Sequence, residues 1–339
     1  MVEVKAIGDK QVWENYVTDF VGANFLQSWN WGEFHQALGH QINRMGFYKG
    51  GKLAGVMLTI VESGRRAKYL TVPAGPLIDW QDGTMRQAFV KEIRRQAQEL
   101  DCSFVRVRPQ VLDIPEYQNL FSELGFKVAP MHLHAQLTLK LHLIKNDEEL
   151  MAQMRKATRY ELKQAMKMGI VVEKSTSADD LDAFYDLQTQ TAHRQAFVPF
   201  SRKYLKEQFR AFAEDNQVIL FTAKLQNQVL AQAMVIFYGQ EADYHYGASS
   251  SEGRRYPGAY LLMWEALQEA KRRRLKYYDL WGVAPDNNPN HRFAGVSLFK
   301  RGFGGQVVEY LPARDLVISW PRYAVNWLVE EIRRRVRGL

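Results

Sequence analysis

Gly46-Phe-Tyr-Lys-Gly-Gly-Lys-Leu-Ala-Gly-Val-Met-Leu-Thr-Ile-Val61 decides the fold, because the chain repeats its plan. It reads as an apolar strand, a Gly50-Gly51 turn and a second strand. "LFTAKLQNQVLAQAMVIFY", from Leu220 to Tyr238, has the same order with Gln226-Asn227 in the turn. Leu53-Ala-Gly-Val-Met57 and Leu230-Ala-Gln-Ala-Met234 stand 177 residues apart. Later landmarks keep that spacing. Pro109 and Pro285, each closing a strand after a helical segment, are offset by 176. Leu120-Phe121 with Gly125-Phe126 and Leu298-Phe299 with Gly302-Phe303 are offset by 178 and 177. Landmarks that share one offset imply one structural unit used twice.

Each unit runs as antiparallel strands, a helix, a strand, a helix and a last strand. That order predicts an α/β layer with helices covering a sheet. A unit of ~150 residues is of ordinary domain size. The join is expected near Leu143–Asp147, which gives a first domain of residues 1–145 and a second of 146–316. The segment from Asp147 to Glu173 reads as one long helix stopped by Gly169, then a strand. The tail, residues 317–339, holds a proline-started amphipathic helix and is expected to cover the first domain.

Of the 339 residues 46% are hydrophobic and 24% charged, which is the balance of a packed globular protein. A formal charge of +8 points to polyanionic partners: nucleic acid, nucleotide-linked substrates or an anionic membrane surface. The one cysteine, Cys102, excludes an internal disulfide and reads as a buried strand residue. The N-terminus lacks a signal peptide's charged start and apolar core, and no apolar run approaches the ~18 residues of a membrane span. These features predict a cytoplasmic protein. The eight histidines show no metal-ligand spacing, so no metal is assigned. Walker, nucleophile-elbow and triad signatures are absent from the sequence.

The two copies differ in reactive residues. The first has "FVRVRP" and "SELGFKV" where the second has "YDLWGV" and "FKRGFGG". Only the second brings Asp279, Lys300 and Arg301 to these points, which suggests a scaffold half and a working half. Two readings of Lys300 stand. Helix ends favour cations, because the last carbonyls are unpaired and the dipole is negative there. Alternatively the glycines admit backbone or ligand closely, and the lysine supplies charge to an oxyanion or phosphate. In "DYHYGASS", Tyr244 and Tyr246 fall on one side of a strand, where they line a polar cleft or simply pack.

Several stretches together resemble the Fem family of peptidoglycan aminoacyltransferases (FemABX). They are "NFLQSWNWGEFHQALG", "LTVPAGPLID", "MRKATRYELKQAMKMGIVVE", "YHYGASS", "YYDLWGV" and "LFKRGFGG", in family order from Asn24 to Val308. The resemblance implies two tandem Gcn5-acetyltransferase-like domains, each a mixed sheet flanked by helices. It implies transfer of an amino acid from aminoacyl-tRNA, as co-substrate and without a cofactor, to an amine of a peptidoglycan precursor. That muropeptide would be UDP-linked or lipid-linked, the latter bringing the protein to the inner membrane surface. No inserted heptad coiled coil is evident, as in the compact subtype. Carried over residue by residue, Phe299 and Lys300 fall on the family's functional pair, and Tyr244 and Tyr246 on its cleft tyrosines. Arg194 and Tyr204 fall where it places substrate contacts. Asp279 would orient the amine or a tyrosine hydroxyl, or serve as a structural acceptor. Lys156, Arg159 and Lys163 on one helix, and Lys271-Arg-Arg-Arg274, would meet tRNA phosphates.

Two departures stand out. His35 occupies a position where the family often has a phosphate-binding lysine, and Arg108-Pro109 replaces Asp-Pro. Arg255-Tyr-Pro-Gly258-Ala259 resembles the acyl-CoA loop of Gcn5-related acetyltransferases, but with Tyr260 at its last position. It also reads as a proline-glycine turn before a helix. Alternatives are therefore an acyl-CoA-dependent N-acyltransferase acting on a sugar or polysaccharide precursor, and a non-catalytic RNA- or membrane-surface-binding protein. Oligomeric state is not encoded in any of these motifs.

Overall fold

The computed structural model describes residues 1–64, 66–195, 198–286 and 291–336. It forms two units, Met1–Gln136 with Glu309–Leu339, and Leu137–Val308. The chain begins with β1 (Val2–Ala6), α1 (Lys10–Asp19), α2 (Trp29–Ala37), β2 (Ile42–Lys49), β3 (Lys52–Ser63), β4 (Lys68–Val72) and β5 (Leu77–Ile78). It continues through α3 (Gly83–Glu99), β6 (Phe104–Val107), α4 (Pro115–Glu123) and β7 (Lys127–Val128). Then come β8 (Leu137–His142), α5 (Asp147–Gln153), α6 (Lys156–Lys167), β9 (Val171–Ser175), α7 (Leu181–Gln195), α8 (Arg202–Ala213), β10 (Val218–Leu225) and β11 (Gln228–Tyr238). The remainder is β12 (Glu241–Ser249), α9 (Gly258–Arg272), β13 (Tyr277–Gly282), α10 (Ala294–Arg301), β14 (Gln306–Glu309), β15 (Arg314–Val317) and α11 (Trp320–Val336).

Both repeated hairpins close with two-residue loops, from the pairings Lys49↔Lys52 and Leu225↔Gln228. Gly50 and Gly51 both have positive φ, the requirement of the tight turn that matches strand twist. The first sheet runs β1-β2-β3-β4-β6-β15-β7, with β5 on β3. Its parallel pair is β4 with β6. The second runs β14-β8-β13-β12-β11-β10-β9, and its parallel pair is β12 with β13. In each unit one helix, α3 or α9, crosses between the parallel strands and buries its apolar side, through Phe89 and Ile93 or Leu262 and Ala266.

The expected boundary at 145/146 is displaced for a topological reason. β8, the last strand of the first repeat, lies between β13 and β14 in the second sheet. β15 lies 177 residues later and takes the corresponding place in the first sheet, between β6 and β7. Each repeat's last strand thus belongs to the other repeat's sheet. The tail's assignment to the first unit has an ionic basis as well. Arg106 Nε and Nη2 donate to the two Asp315 oxygens at 2.8 Å, and Nη2 reaches Glu330 of α11 at 2.8 Å. Tyr323 Oη donates to Asp315 at 3.1 Å. Arg106 and Asp315 are both fully buried, so the fork-to-fork geometry offsets a large desolvation cost.

The single long helix expected from Asp147 is broken at Met154, whose ψ of 147° is extended. The terminal carbonyls of α5 are met by the Arg159 guanidinium, which donates to Met151 O at 3.3 Å, Ala152 O at 3.4 Å and Met154 O. Arg155 N donates to Gly302 O at 2.9 Å, which begins α6 on a new axis. No described helix is long and apolar enough to cross a membrane.

Candidate active site

β13 leaves its sheet irregularly, with a register shift between Asp279 and Gly282 and a positive φ of 62° at Trp281. Asp279 Oδ1 holds this turn by accepting from Trp281 N at 2.7 Å. Three side chains of α10 clasp the strand end. Ser297 Oγ accepts from Ala284 N at 2.7 Å, Arg301 Nη2 donates to Ala284 O at 2.7 Å, and Lys300 Nζ donates to Gly282 O at 2.8 Å. Lys300 is therefore no surface cation over the end of its own helix. It is 7% exposed, its ammonium bonded to another element's carbonyl and 5.8 Å from the Tyr244 ring centre. Burial pulls its pKa down to about 8, with Asp279 acting in the opposite direction. An ammonium has three donors, and the Gly282 bond uses one of them.

Phe299 packs edge-on against Tyr260 and Phe303, with centroids at 5.1 and 5.4 Å, and so locks the rotation of α10 that aims Lys300. The glycines serve backbone approach. A Cβ on Gly305 (φ +98°) would stand 2.6 Å from Lys140 O, and one on Gly304 (φ +84°) 2.9 Å from Gln153 O. A Cβ on Gly302 would strike Thr158. The motif's small residues thus seat the junction on β8 and on the ends of α5 and α6.

The expectation that Tyr244 and Tyr246 share a side is overturned. β12 carries a bulge: Val235 faces Tyr244, Met234 faces Tyr246, and His245 is the extra residue. Tyr244 goes with Val235 into the core beneath α9, toward Lys300. Tyr246 emerges on the other face. There it hydrogen-bonds Tyr204 of α8 and lies 5.2 Å from Phe200, which stacks on Tyr204 at 4.6 Å. Burial raises the pKa of both Tyr244 and Tyr246, which keeps them as neutral hydroxyls. Gly247 is required locally, because a Cβ there would strike the Tyr244 hydroxyl.

Beneath the strand end lies a charge cluster that sequence reasoning missed. Glu241, Asp243, Asp279 and Lys140 are neighbours across three strands, through the pairings Asp243↔Asp279 and Asp279↔Lys140. Lys140 Nζ contacts Glu241 and lies 3.5 Å from Asp279 Oδ2. Burial raises the pKa of Asp243 and Glu241, while the Lys140 ammonium opposes the shift in each. Asp279 is 2% exposed and its oxygens are engaged by Trp281 N and Lys140, so in this structure it holds the turn in place. Lys140 escaped notice because "TLKLH" reads as a strand of the first repeat.

The other expected contacts scatter. Lys156 and Lys163 are exposed on α6, but Arg159 caps α5 and is not left for phosphate. Lys271, Arg272 and Arg273 are likewise engaged, by Asp147, Glu269 and Asn216. Arg194 lies in the last turn of α7, with its side chain outside the described residues. His35 is 7% exposed, and burial, then His40, takes its pKa to about 3. It is neutral at physiological pH and so lacks the charge of a phosphate-binding lysine. Arg108 is buried in the first unit, donating to Ala135 O at 2.9 Å.

A helix-spanned parallel pair in a mixed sheet, used twice, is the architecture of tandem acetyltransferase-like proteins. A solved tandem GNAT protein from the clavulanic acid biosynthesis pathway superposes with a TM-score of 0.59 at 12% identity, covering 94% of this chain and 98% of that one. FemX superposes with a TM-score of 0.85 at 20% identity, over 97% of this chain and 100% of that one. The FemAB family model matches residues 9–119, 124–229 and 221–331, and the chain belongs to the FemAB family. Among its relatives is a lipid II:glycine glycyltransferase of Staphylococcus aureus (strain USA300), 21% identical, with 95% of this chain and 94% of the relative aligned.

Proposed function

We propose that this chain is an aminoacyltransferase that moves an amino acid from aminoacyl-tRNA to an amine of a peptidoglycan precursor, building a cross-bridge or branch in the cell wall. The observation that carries this reading is the buried Lys300 ammonium, fixed by Gly282 O at 2.8 Å with two donors to spare. An aminoacyl ester is already activated, so a neutral amine attacks its carbonyl without a protein nucleophile. The C–N bond forms, the ester C–O bond breaks, and the amine's proton passes to the departing ribose oxygen. Lys300 would stabilise the oxyanion between these events. Asp279 would act through it, by fixing the turn that carries Gly282.

Two features favour this donor over acyl-CoA. Gly258, the glycine that would admit a pyrophosphate, instead lets α9 approach β11: a Cβ there would lie 2.9 Å from Leu230 Cβ. Tyr260, at the last position of that loop, packs on Phe299. A lipid-linked precursor fits a further feature. Val325, Leu328, Ile332 and Val336 form an exposed apolar stripe on α11, which ends in Arg333, Arg334 and Arg335. Such a helix suits peripheral attachment to an anionic cytoplasmic membrane face. The deciding experiment supplies labelled aminoacyl-tRNA or acyl-CoA with a muropeptide acceptor and follows the label. Transfer from aminoacyl-tRNA alone is expected. Transfer from CoA alone would replace this reading with an N-acyltransferase, and transfer from neither with a binding protein.

A further inference from the structure

α2 ends in a glycine-capped turn: Gly39 (φ +89°) N donates to Gln36 O at 2.8 Å and His40 N to His35 O at 3.0 Å. In this motif the residue after the glycine folds back onto the one five positions earlier, where an apolar pair usually meets. Here that pair is two histidines, with ring centroids 5.1 Å apart. Glu62, near the end of β3, closes the group: its carboxylate lies 3.6 Å from His40 Nδ1. One ligand atom from each of the three residues lies within 4.8 Å of the other two.

We propose that His35, His40 and Glu62 form a binding site for a divalent transition metal of the zinc type. The donor set is two imidazoles and one carboxylate, with a fourth position open to water, a combination such ions favour. Tetrahedral ligands at about 2.0–2.1 Å from zinc stand about 3.4 Å apart. The His40–Glu62 separation already meets that spacing, and the others need to close by at most about 1.4 Å to reach it. A second observation points to a ligand. His35 is more than nine-tenths buried, among Trp31, Phe34 and His40, and its Nδ1 has no hydrogen-bond partner. Leaving a buried imidazole nitrogen unsatisfied is costly, and a bound cation would supply what the pocket lacks. Burial also keeps His35 in the neutral form that metals bind. The other carboxylate cluster among the described residues, Glu241, Asp243 and Asp279, already contains the Lys140 ammonium.

The pairing is invisible as a spacing motif, because a separation of five places two side chains apart on a continuous helix. Only the left-handed turn at Gly39 brings His40 back over His35.

The test is calorimetric titration of the metal-stripped full chain with zinc chloride, followed by cobalt substitution. One zinc per chain is expected, with intense visible cobalt bands of low coordination number. His40→Ala and Glu62→Gln should each weaken binding ~10-fold or more, equal to about 1.4 kcal/mol. His142→Gln, outside the cluster, should leave it unchanged. Glu62→Gln is isosteric and His40 is partly exposed, and a thermal melt without metal checks that both variants fold. No saturable binding would overturn the proposal, as would zinc affinity unaltered in both folded variants.

Discussion

The two helix–strand junctions at corresponding places in the repeats show how one frame serves two purposes. In the first unit, α4 carries Leu120-Phe121-Ser122 and is followed by Gly125, and Phe121 is fully buried in the core. Ser122 is exposed, and its hydroxyl donates back to Gln118 O at 2.9 Å. In the second, Phe299 again faces inward, but Lys300 replaces the serine and is buried against Gly282 O. The first junction turns at one left-handed glycine, Gly125; in the second its counterpart Gly302 stays helical, and the left-handed glycines are Gly304 and Gly305, which let it press onto β8 and α5. The apolar residue of each pair maintains the fold, and in the second copy the neighbouring position carries the buried lysine to which the proposal gives the chemistry. The first unit compensates with a different buried cation, Arg106, which is paired twice and holds structure.

That contrast predicts stability effects in the first unit and rate effects in the second. The largest expected effect is from Asp315→Ala, which leaves Arg106 buried without its bidentate partner. Urea unfolding should show a loss of about 3–5 kcal/mol, with turnover per folded molecule unchanged. A loss below about 1 kcal/mol would make the ion cluster incidental. Next, Lys300→Met should lower turnover ~10-fold or more, about 1.4 kcal/mol of barrier, while its circular dichroism stays native. Full activity would return Lys300 to a structural role.

The pH profile sharpens the assignment. With its pKa drawn down to about 8, Lys300 loses its charge as pH rises through that value, and turnover should fall there. The linkage to stability runs the other way: burying the ammonium costs stability below about pH 8, and that cost is relieved as pH rises from the folded toward the unfolded pKa. Lys300→Arg should flatten the falling limb, because a guanidinium stays charged. The same limb in that variant would assign it to another group. The smallest effect is expected from Ser122→Ala, at the counterpart position: within about 0.5 kcal/mol in stability, and none in rate.

Much of this frame was legible in the sequence, because strand pattern, two-residue turns and a constant offset are local features. The two-unit plan and the contrast between "SELGF" and "FKRGFGG" needed nothing more. Three things were not legible, each for its own reason. The destination of β8 depends on which sheet has a gap beside its parallel pair, and "LTLKLH" has no local mark of that choice. The bulge at His245 inserts one residue into an apparently regular alternation, so period-two counting put Tyr246 on the wrong face. Arg159 looked like one member of a basic helix face. Its role as a cap follows only from the break at Met154, which lets it reach the carbonyls of the preceding helix.

The exchange of β8 and β15 has a consequence for biosynthesis. As the chain leaves the ribosome, the half made first cannot be finished first. Its sheet would present β6 as an open edge and leave β7 with no strand beside it until β15 emerges, after the entire second unit. The half that emerges in the middle has all its strands beforehand, with β8 already waiting for it. Assembly is therefore expected to run from the centre of the gene outward, with the tail arriving as the keystone of the front.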